Sequence, residues 1–508
     1  MTETTHTSDI PVLAQTGAHF NPVQDDIAAA EGHKNTANEA FKEKNYLLAI
    51  ELYGKAIDCN PMSAVYHANR AFAHIRMETY GSAVEDGTQA IALDPKYVKG
   101  YYRRGDACYA LGKYKDSLKD FKSAAKLAPR DPDLRKKLTA CEKEVKRIRF
   151  EEALATPDVA QTPVADTIDM ASMSVEDSYD GPHLEGNIEE GYTVTPGFTQ
   201  DMLHRFKDQK LIHRRYAFAI ILQAYEILKG LPSLVDVPVP RGTKLTVCGD
   251  VHGQYFDLLN IFDINGLPSK ENPYLFNGDF VDRGSWSAEI ILTLFAYKVM
   301  YPQHVHLARG NHESRGMNKI YGFDGEISHK FSSQMIELFR DTFCWLPLAH
   351  VLDNRVLVVH GGLFSKDGVK LSDIRSIDRH RQPPEDGLMC EMLWSDPKPT
   401  EGRGPSQRGV GVGFGPDVTR NFLQDNKLDL LVRSHEVKDD GYEIAHDGNC
   451  ITVFSAPNYC DQMGNKGAFI TFTGGDMSPQ FTQFAAVPHP DVKPMAYASS
   501  MMGNMWGF

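Results

Sequence analysis

Six stretches in the C-terminal half share one design: a short apolar run fit for a buried strand passes at once into a polar turn. Leu245-Thr246-Val247-Cys248 leads into Gly249-Asp250-Val251-His252-Gly253, and Tyr274-Leu275-Phe276 into Gly278-Asp279-Phe280-Val281-Asp282-Arg283-Gly284. Val305-His306-Leu307-Ala308 precedes Gly310-Asn311-His312-Glu313, and Val356-Leu357-Val358-Val359 precedes His360-Gly361-Gly362. The last two run from Leu428–Val432 into Arg433-Ser434-His435-Glu436 and from Ile451–Phe454 into Ser455-Ala456-Pro457-Asn458-Tyr459. Loops leaving rigid strand ends can converge on one rim of a sheet, so polar residues far apart in the chain can meet there. The side chains so gathered are Asp, His and Asn, which offer oxygen and imidazole nitrogen but no thiolate. That set suits Mn, Fe, Zn or Mg and disfavours a cysteine-type structural zinc site. Glycines beside the ligands let backbone and an anion approach closely.

The strands and helices that carry these turns begin near residue 200, where the pattern becomes mixed α/β. The chain of 508 residues has room for roughly two to four domains. Its 42% hydrophobic and 24% charged residues are the balance of a soluble globular protein. No apolar stretch reaches the ~18 residues that span a bilayer, so no membrane span is expected. The formal charge of −13 is concentrated: from Phe150 to His204 there is no Lys or Arg and there are twelve carboxylates, which leaves the remainder near neutrality. No basic face is available for a polyanion, so nucleic acid is not an expected partner. The eight cysteines form no C-x-x-C pair, and no basic-then-apolar run opens the chain, which reads as free thiols in a reducing compartment. The acidic stretch, with Pro157, Pro163, Pro182 and Pro196, reads as a largely flexible linker over 151–199.

Ahead of the linker, columns recur every 34 residues: Pro61, Pro95 and Pro129; Tyr46, Tyr80 and Tyr114; Ala37, Ala71 and Gly105; Ala49, Ala83 and Ser117; Ala56, Ala90 and Ala124. Small residues at helix crossings and Pro at each unit's end resemble the tetratricopeptide repeat, a pair of antiparallel helices stacked into a superhelix. His74 and Gly87 stand where bulkier apolar residues are common, so looser packing is expected in the second repeat. Asp131-Pro132-Asp133 starts a further helix whose stripe of Leu134, Leu138, Cys141, Val145 and Ile148 closes the stack. The expected divisions are a flexible tail (1–26), three repeats with a capping helix (27–150), the linker (151–199), an α/β domain (200–490) and a C-terminal tail (491–508), with a docking helix over Met495–Phe508.

The series GDVHG, GDFVDRG, GNHE, HGG and RSHE, in this order, is similar to the serine/threonine phosphoprotein phosphatase family of dinuclear metallophosphoesterases, over roughly residues 200–490. Five motifs in register are specific where any one is weak. The resemblance implies a central β-sandwich flanked by helices and two divalent ions, manganese foremost, with Fe, Zn or Mg as alternatives. It implies Asp250 and His252 on the first metal, Asp279 bridging, and Asn311, His360 and His435 on the second. Two close cations need an anionic bridge, and together they make hydroxide from water at neutral pH, which attacks phosphorus in line. Arg283, Asn311, Arg408 and Tyr459 would contact phosphate; His312 would protonate the departing Ser or Thr oxygen, oriented by Asp282. The glycine-rich run Val410–Phe414 after Arg408 suggests extra flexibility there.

In repeat domains that bind chaperone tails, the positions of Lys34, Asn38, Asn69, Lys99 and Arg103 form a clamp for a terminal carboxylate. The resemblance therefore implies the acidic C-terminal peptide of heat-shock protein 90 as a ligand beside phosphoprotein substrates. It also implies autoinhibition relieved by peptide or lipid, and a cytoplasmic and nuclear location. The rival readings are a catalytically weak chaperone adaptor and a nucleotide or diester metallophosphoesterase. The intact set with His312 and Asp282 speaks against the first; Arg283 in its DRG context and the SAPNYCD turn speak against the second.

Overall fold

The 34-residue columns become helix crossings. The computed structural model describes residues 24–154 and 163–498, which form two units. In the first, α1 (Gln24–Lys42) pairs with α2 (Tyr46–Cys59), α3 (Ala64–Arg76) with α4 (Tyr80–Leu93), and α5 (Val98–Ala110) with α6 (Tyr114–Leu127). All nine small residues of the three columns are buried. A Cβ added at Gly105 would lie 2.9 Å from the Phe121 ring, so the α5–α6 crossing requires glycine. The long α7 (Pro132–Leu154) buries Leu134, Cys141 and Val145 and closes the stack. Residues 24–26 of the expected tail are helical, because α1 starts at Gln24; residues 1–23 lie outside those described.

The second repeat is not loose. Asp86 accepts two bonds from the Arg70 guanidinium (2.9 and 2.8 Å) and one contact from His67 (3.2 Å), filling the seam with a polar network. Gly87 sits where a Cβ would come within 2.8 Å of Arg104 Cβ, so its small size permits close approach rather than leaving space.

In the second unit all six expected strands are present. A five-stranded sheet has the order β16-β15-β4-β5-β6, and a six-stranded sheet the order β13-β14-β12-β8-β7-β3. Their ranges are β3 (Leu234–Val237), β4 (Lys244–Cys248), β5 (Tyr274–Phe276), β6 (Val305–Leu307), β7 (Ala349–Leu352), β8 (Val356–Val359), β12 (Leu430–Arg433), β13 (Tyr442–Ala445), β14 (Cys450–Val453), β15 (Gly467–Thr473) and β16 (Gln480–Phe484). Alternate residues face the sandwich interior: Leu245 and Val247, Leu275, Val356 and Val358, Leu430 and Val432, Ile451 and Val453, Ile470 and Phe472. The opposite faces pack on helices, which is why these strands read as continuous apolar runs. On the outer face of the five-stranded sheet lie α8 (Pro196–Lys207), α9 (Arg214–Lys229), α10 (Tyr255–Asn265), α11 (Ser287–Met300), α13 (Phe323–Lys330) and α14 (Ser333–Cys344), with the short α12 (Arg315–Tyr321) running into α13. Strands β4, β5 and β6 are mutually parallel, as are β8, β12 and β14, so three polar turns leave each sheet at one end. An Asp250–Phe454 bridge joins the two sheets there.

The expectation of a flexible linker is corrected for its C-terminal part. Met173, Leu184 and Val194 are buried in the core of the second unit, and Val164, Ile168 and Met170 pack beside them. A hairpin of β1 (Glu185–Asn187) and β2 (Gly191–Thr193) follows. These apolar residues are too widely spaced to show periodicity, and the core they join is built by helices and strands that lie later in the chain. The C-terminal segment docks as a turn rather than a helix over its described part: Met495 N donates to Arg283 O at 2.7 Å, and Ser285 Oγ donates to Lys493 O at 2.7 Å. Residues 499–508 of the expected helix lie outside those described. The glycine-rich run is also ordered. Val412–Phe414 is strand β11, between β9 (Asp396–Pro397) and β10 (Arg403–Pro405), and a Cβ added at Gly411 (φ +71°) would lie 2.9 Å from Trp394 and Ser395 backbone atoms. Among the described residues no helix is long and apolar enough to cross a membrane.

One pair of buried imidazoles predicts an acid-side loss of stability. His306 on β6 and His350 on β7 sit with ring centroids 5.6 Å apart, beside the buried Lys298 ammonium and near His304. Burial, then the Lys298 charge, lowers His306 to about 3. The unfolded chain takes up this proton near pH 6.5, so stability is full above that value and falls as pH drops towards 3, by at most about 1.4 kcal/mol per pH unit for one group. In a His306→Gln chain the urea midpoint should vary less with pH between 6.5 and 4.5; an unchanged slope contradicts this.

Candidate active site

The turns beyond β4, β5, β6, β8 and β12 bring the expected residues together. Several hold a left-handed backbone unusual outside glycine: His252 (φ +39°), Asp279 (+52°), Asp282 (+70°), Arg283 (+69°) and His435 (+72°). Such residues carry roughly 1–3 kcal/mol of strain each and persist only where surrounding bonds fix them. Here Asp279 O accepts Val251 N (3.2 Å) and His252 N (3.0 Å), Phe280 O accepts Gly253 N (3.0 Å), and Ser287 Oγ accepts Asp282 N (3.1 Å).

Two potential ligand groups share Asp279: His252, Asp279 and His312, and Asp279, His360 and His435, each with its ligand atoms within 4.8 Å of one another. His252 Nε2 lies 3.6 Å from Asp250 Oδ2 and 3.4 Å from Asp279 Oδ2; His360 Nε2 lies 3.3 Å from Asp279 Oδ2 and 2.9 Å from Asn311 Oδ1. His435 N donates to Asp250 Oδ1 at 3.1 Å, and the His435 and His360 rings are 5.0 Å apart. These residues fit divalent cations. His252 Nδ1 donates to Val281 O (3.0 Å) and His360 Nδ1 to Asn277 O (2.8 Å), which fixes the tautomer that turns each Nε2 lone pair inward. Burial keeps both imidazoles neutral, lowering His252 well below its ordinary value and lowering His360 as well. Burial, with the Asp279 charge adding, raises Asp250 to about 7. A dry cluster of carboxylates and neutral imidazoles is what a cation stabilises.

Beside this cluster His312 Nδ1 meets Asp282 Oδ2 at 2.8 Å. Asp282 is fully buried and raised to about 7 by that burial, against the bonds it accepts from Phe323 N (2.9 Å) and Asn318 Nδ2 (3.2 Å). Asn318 Nδ2 also donates to His312 O at 2.6 Å, so it ties the pair together. The His312 ring lies 4.7 Å from that of His252. Arg283 stacks its guanidinium 3.7 Å from the Tyr321 ring centre. The Tyr459 ring stands 5.3 Å from His252, its backbone held by Asn465 Oδ1. Arg408 occupies the turn that joins β10 to β11.

Sequence reasoning missed Asn277, Glu313 and Asn318. Asn277 Nδ2 bonds Val359 O and Ser434 Oγ, both at 2.9 Å, and so ties three motif turns together. Glu313 was visible within GNHE, but nothing in the sequence shows that it bonds backbone rather than substrate. Asn318 had no signal, because its partners lie in other turns.

In the first unit Lys34 and Asn38 lie on α1, Asn69 on α3, and Lys99 and Arg103 on α5, so the first helix of each repeat supplies them. Lys34 pairs with Glu31, Asn38 Oδ1 accepts Tyr53 OH at 2.6 Å, and Lys99 is exposed. Arg103 lies 3.5 Å over the Phe72 ring, a stacking partner that the columns did not reveal.

Residues 243–439 match the calcineurin-like phosphoesterase family, residues 138–236 a family described as the PPP5 TPR repeat region, and residues 98–131 the tetratricopeptide repeat. The chain is 53% identical over 481 residues to serine/threonine-protein phosphatase 5 of Rattus norvegicus, covering 95% of each. It is 56% identical over 526 residues to serine/threonine-protein phosphatase 5 of Arabidopsis thaliana, covering 94% of this chain and 98% of the relative. A solved protein serine/threonine phosphatase of Saccharomyces cerevisiae, similar to human PP5, superimposes with a TM-score of 0.58 at 44% identity, over 60% of this chain and all of that one.

Proposed function

Since this chain belongs to the serine/threonine-protein phosphatase 5 family and is a protein serine/threonine phosphatase taking two divalent ions, we propose that Asp250, His252 and Asp279 hold one ion and Asp279, Asn311, His360 and His435 the other. The observation that carries this reading is the pair of ligand groups meeting at one carboxylate, with the His312–Asp282 contact alongside. The oxygen and imidazole donors suit manganese. When bound, the two ions supply Lewis-acid activation of water and offset phosphate charge.

The chain's own residues do the rest. Arg283 grips the equatorial phosphate oxygens, with Arg408, Asn311 and Tyr459 adding contacts, because a guanidinium matches phosphate bidentately. His312 gives its Nε2 proton to the departing Ser or Thr oxygen, a poor leaving group as an alkoxide. Asp282 holds Nδ1–H, which orients the ring and stabilises its protonated form. Burial of the cluster keeps bulk water from competing for these bonds.

The repeat unit regulates in this reading. Lys34, Asn38, Asn69, Lys99 and Arg103 grip the acidic C-terminal peptide of heat-shock protein 90, and the repeats restrain turnover until peptide or lipid engages them. Tethering on one chain keeps each unit at high effective concentration for the other. The location is cytoplasmic and nuclear, a reading that rests on a chain whose cysteines form no C-x-x-C pair.

The test is orthophosphate release from a phosphoserine peptide by the full chain, with and without an acidic C-terminal peptide, and by a chain beginning at residue 163. A start at 170 would strip away Val164 and Ile168, which pack on the core. Truncation and peptide should each raise turnover several-fold. Lys99→Ala should weaken peptide binding about tenfold or more, since a charged hydrogen bond contributes ~1.5–3 kcal/mol. Equal rates for the full and shortened chains contradict autoinhibition, and preferred hydrolysis of a diester contradicts the substrate class.

A further inference from the structure

We propose that Glu313 is a positioning residue: its carboxylate fixes the left-handed backbone of Asp279 and thereby aims the carboxylate shared by the two ligand groups. This rests on the metal assignment above and deepens it. Glu313 is fully buried, and the hydrogen bonds its carboxylate accepts come from backbone N–H groups. Oε2 accepts Asp279 N (2.8 Å) and Gly310 N (2.8 Å), and Oε1 accepts Phe280 N (2.8 Å).

Three backbone donors on one side chain clamp two motif turns, the one after β5 and the one after β6. The clamp reaches a third, because Asp279 O accepts both Val251 N and His252 N. One carboxylate thus links the turns bearing Asp250 and His252, Asp279, and Asn311 and His312. Asp279 at φ +52° holds a left-handed backbone that Asp tolerates better than most residues but that still costs energy outside glycine. What holds it is the pair of bonds at its own N–H and that of Phe280, together with His312 N donating to Asp279 Oδ1 at 2.9 Å. Were the backbone to relax, Oδ2 would leave its place 3.4 Å from His252 Nε2 and 3.3 Å from His360 Nε2. Gly310 is shaped for the same clamp: a Cβ there would lie 2.2 Å from Asp279 Oδ1, 2.4 Å from Asp279 N and 2.8 Å from Glu313 Oε2.

The test compares wild type with Glu313→Gln by calorimetric titration of the metal-stripped full chain with Mn²⁺, alongside kcat and KM on a phosphoserine peptide. Gln keeps the volume but turns an amide NH₂ toward a backbone N–H. The expected result is a 10–100-fold loss of Mn²⁺ affinity, the range found when a group supporting a metal ligand is removed. kcat should fall and be partly restored by excess Mn²⁺, with KM within about twofold. Wild-type Mn²⁺ affinity in Glu313→Gln overturns the proposal. Should that chain fail to unfold cooperatively, Glu313→Asp, whose shorter side chain keeps the charge but cannot reach the backbone donors of both turns, decides: weakened Mn²⁺ binding supports the clamp and unchanged binding overturns it. Failure of the wild type itself to take up two equivalents would sink the metal assignment, a separate outcome.

Discussion

Replacing His312 with alanine is expected to lower kcat on a phosphoserine peptide by about 10²–10⁴-fold, the usual contribution of a positioned general acid, while KM stays within a few-fold. The proton it supplies matters in proportion to the basicity of the leaving oxygen. An aryl phosphate, whose phenolate departs unaided, should therefore lose far less activity than the Ser or Thr ester. His312 also stands within ligand reach of His252 and Asp279, so the metal content of the variant discriminates between two roles. Two bound equivalents with lost turnover identify an acid; loss of one equivalent identifies a ligand and contradicts the assignment made here.

Asp279→Asn is expected to fail in the opposite way, by losing metal first. The side chain keeps its shape but not its charge, and Asp279 is the one residue common to both ligand groups. Without an anion between them, two dications in a dry site repel with nothing to offset them. Metal should fall below one equivalent. Turnover should fall by more than the ~10–100-fold produced by losing a group that merely hydrogen-bonds a ligand. Metal analysis and orthophosphate release on the same preparation check this; retention of two equivalents contradicts the bridging role.

Much of this was legible in the sequence because each strand ends where its chemistry begins. Val356–Val359 and Leu430–Val432 are apolar throughout since parallel central strands are covered on both faces, and the polar turn that follows marks the rim. The 34-residue columns were equally plain, because Ala37, Ala71 and Gly105 sit where helices cross and little else fits. What stayed hidden depends on partners remote in the chain. Met173, Leu184 and Val194 looked like scattered apolar residues in an acidic linker, and the core they join is built by helices and strands later in the chain. Asn318 lies six residues beyond His312 on a short helix, and its bonds to Asp282 and to His312 O follow from the turns and not from spacing. His74 and Gly87 misled for a related reason: Asp86 with Arg70 and His67 fills the seam that apolar bulk fills elsewhere.

Turnover depends on a site that gathers two ions at one carboxylate. Titrating the metal-stripped chain, cut to begin at residue 163, with Mn²⁺ while following orthophosphate release from a phosphoserine peptide measures this directly. Two equivalents bound, with release appearing only as the second site fills, is the predicted result. Saturation at a single equivalent, or release that persists with the metal removed, contradicts it.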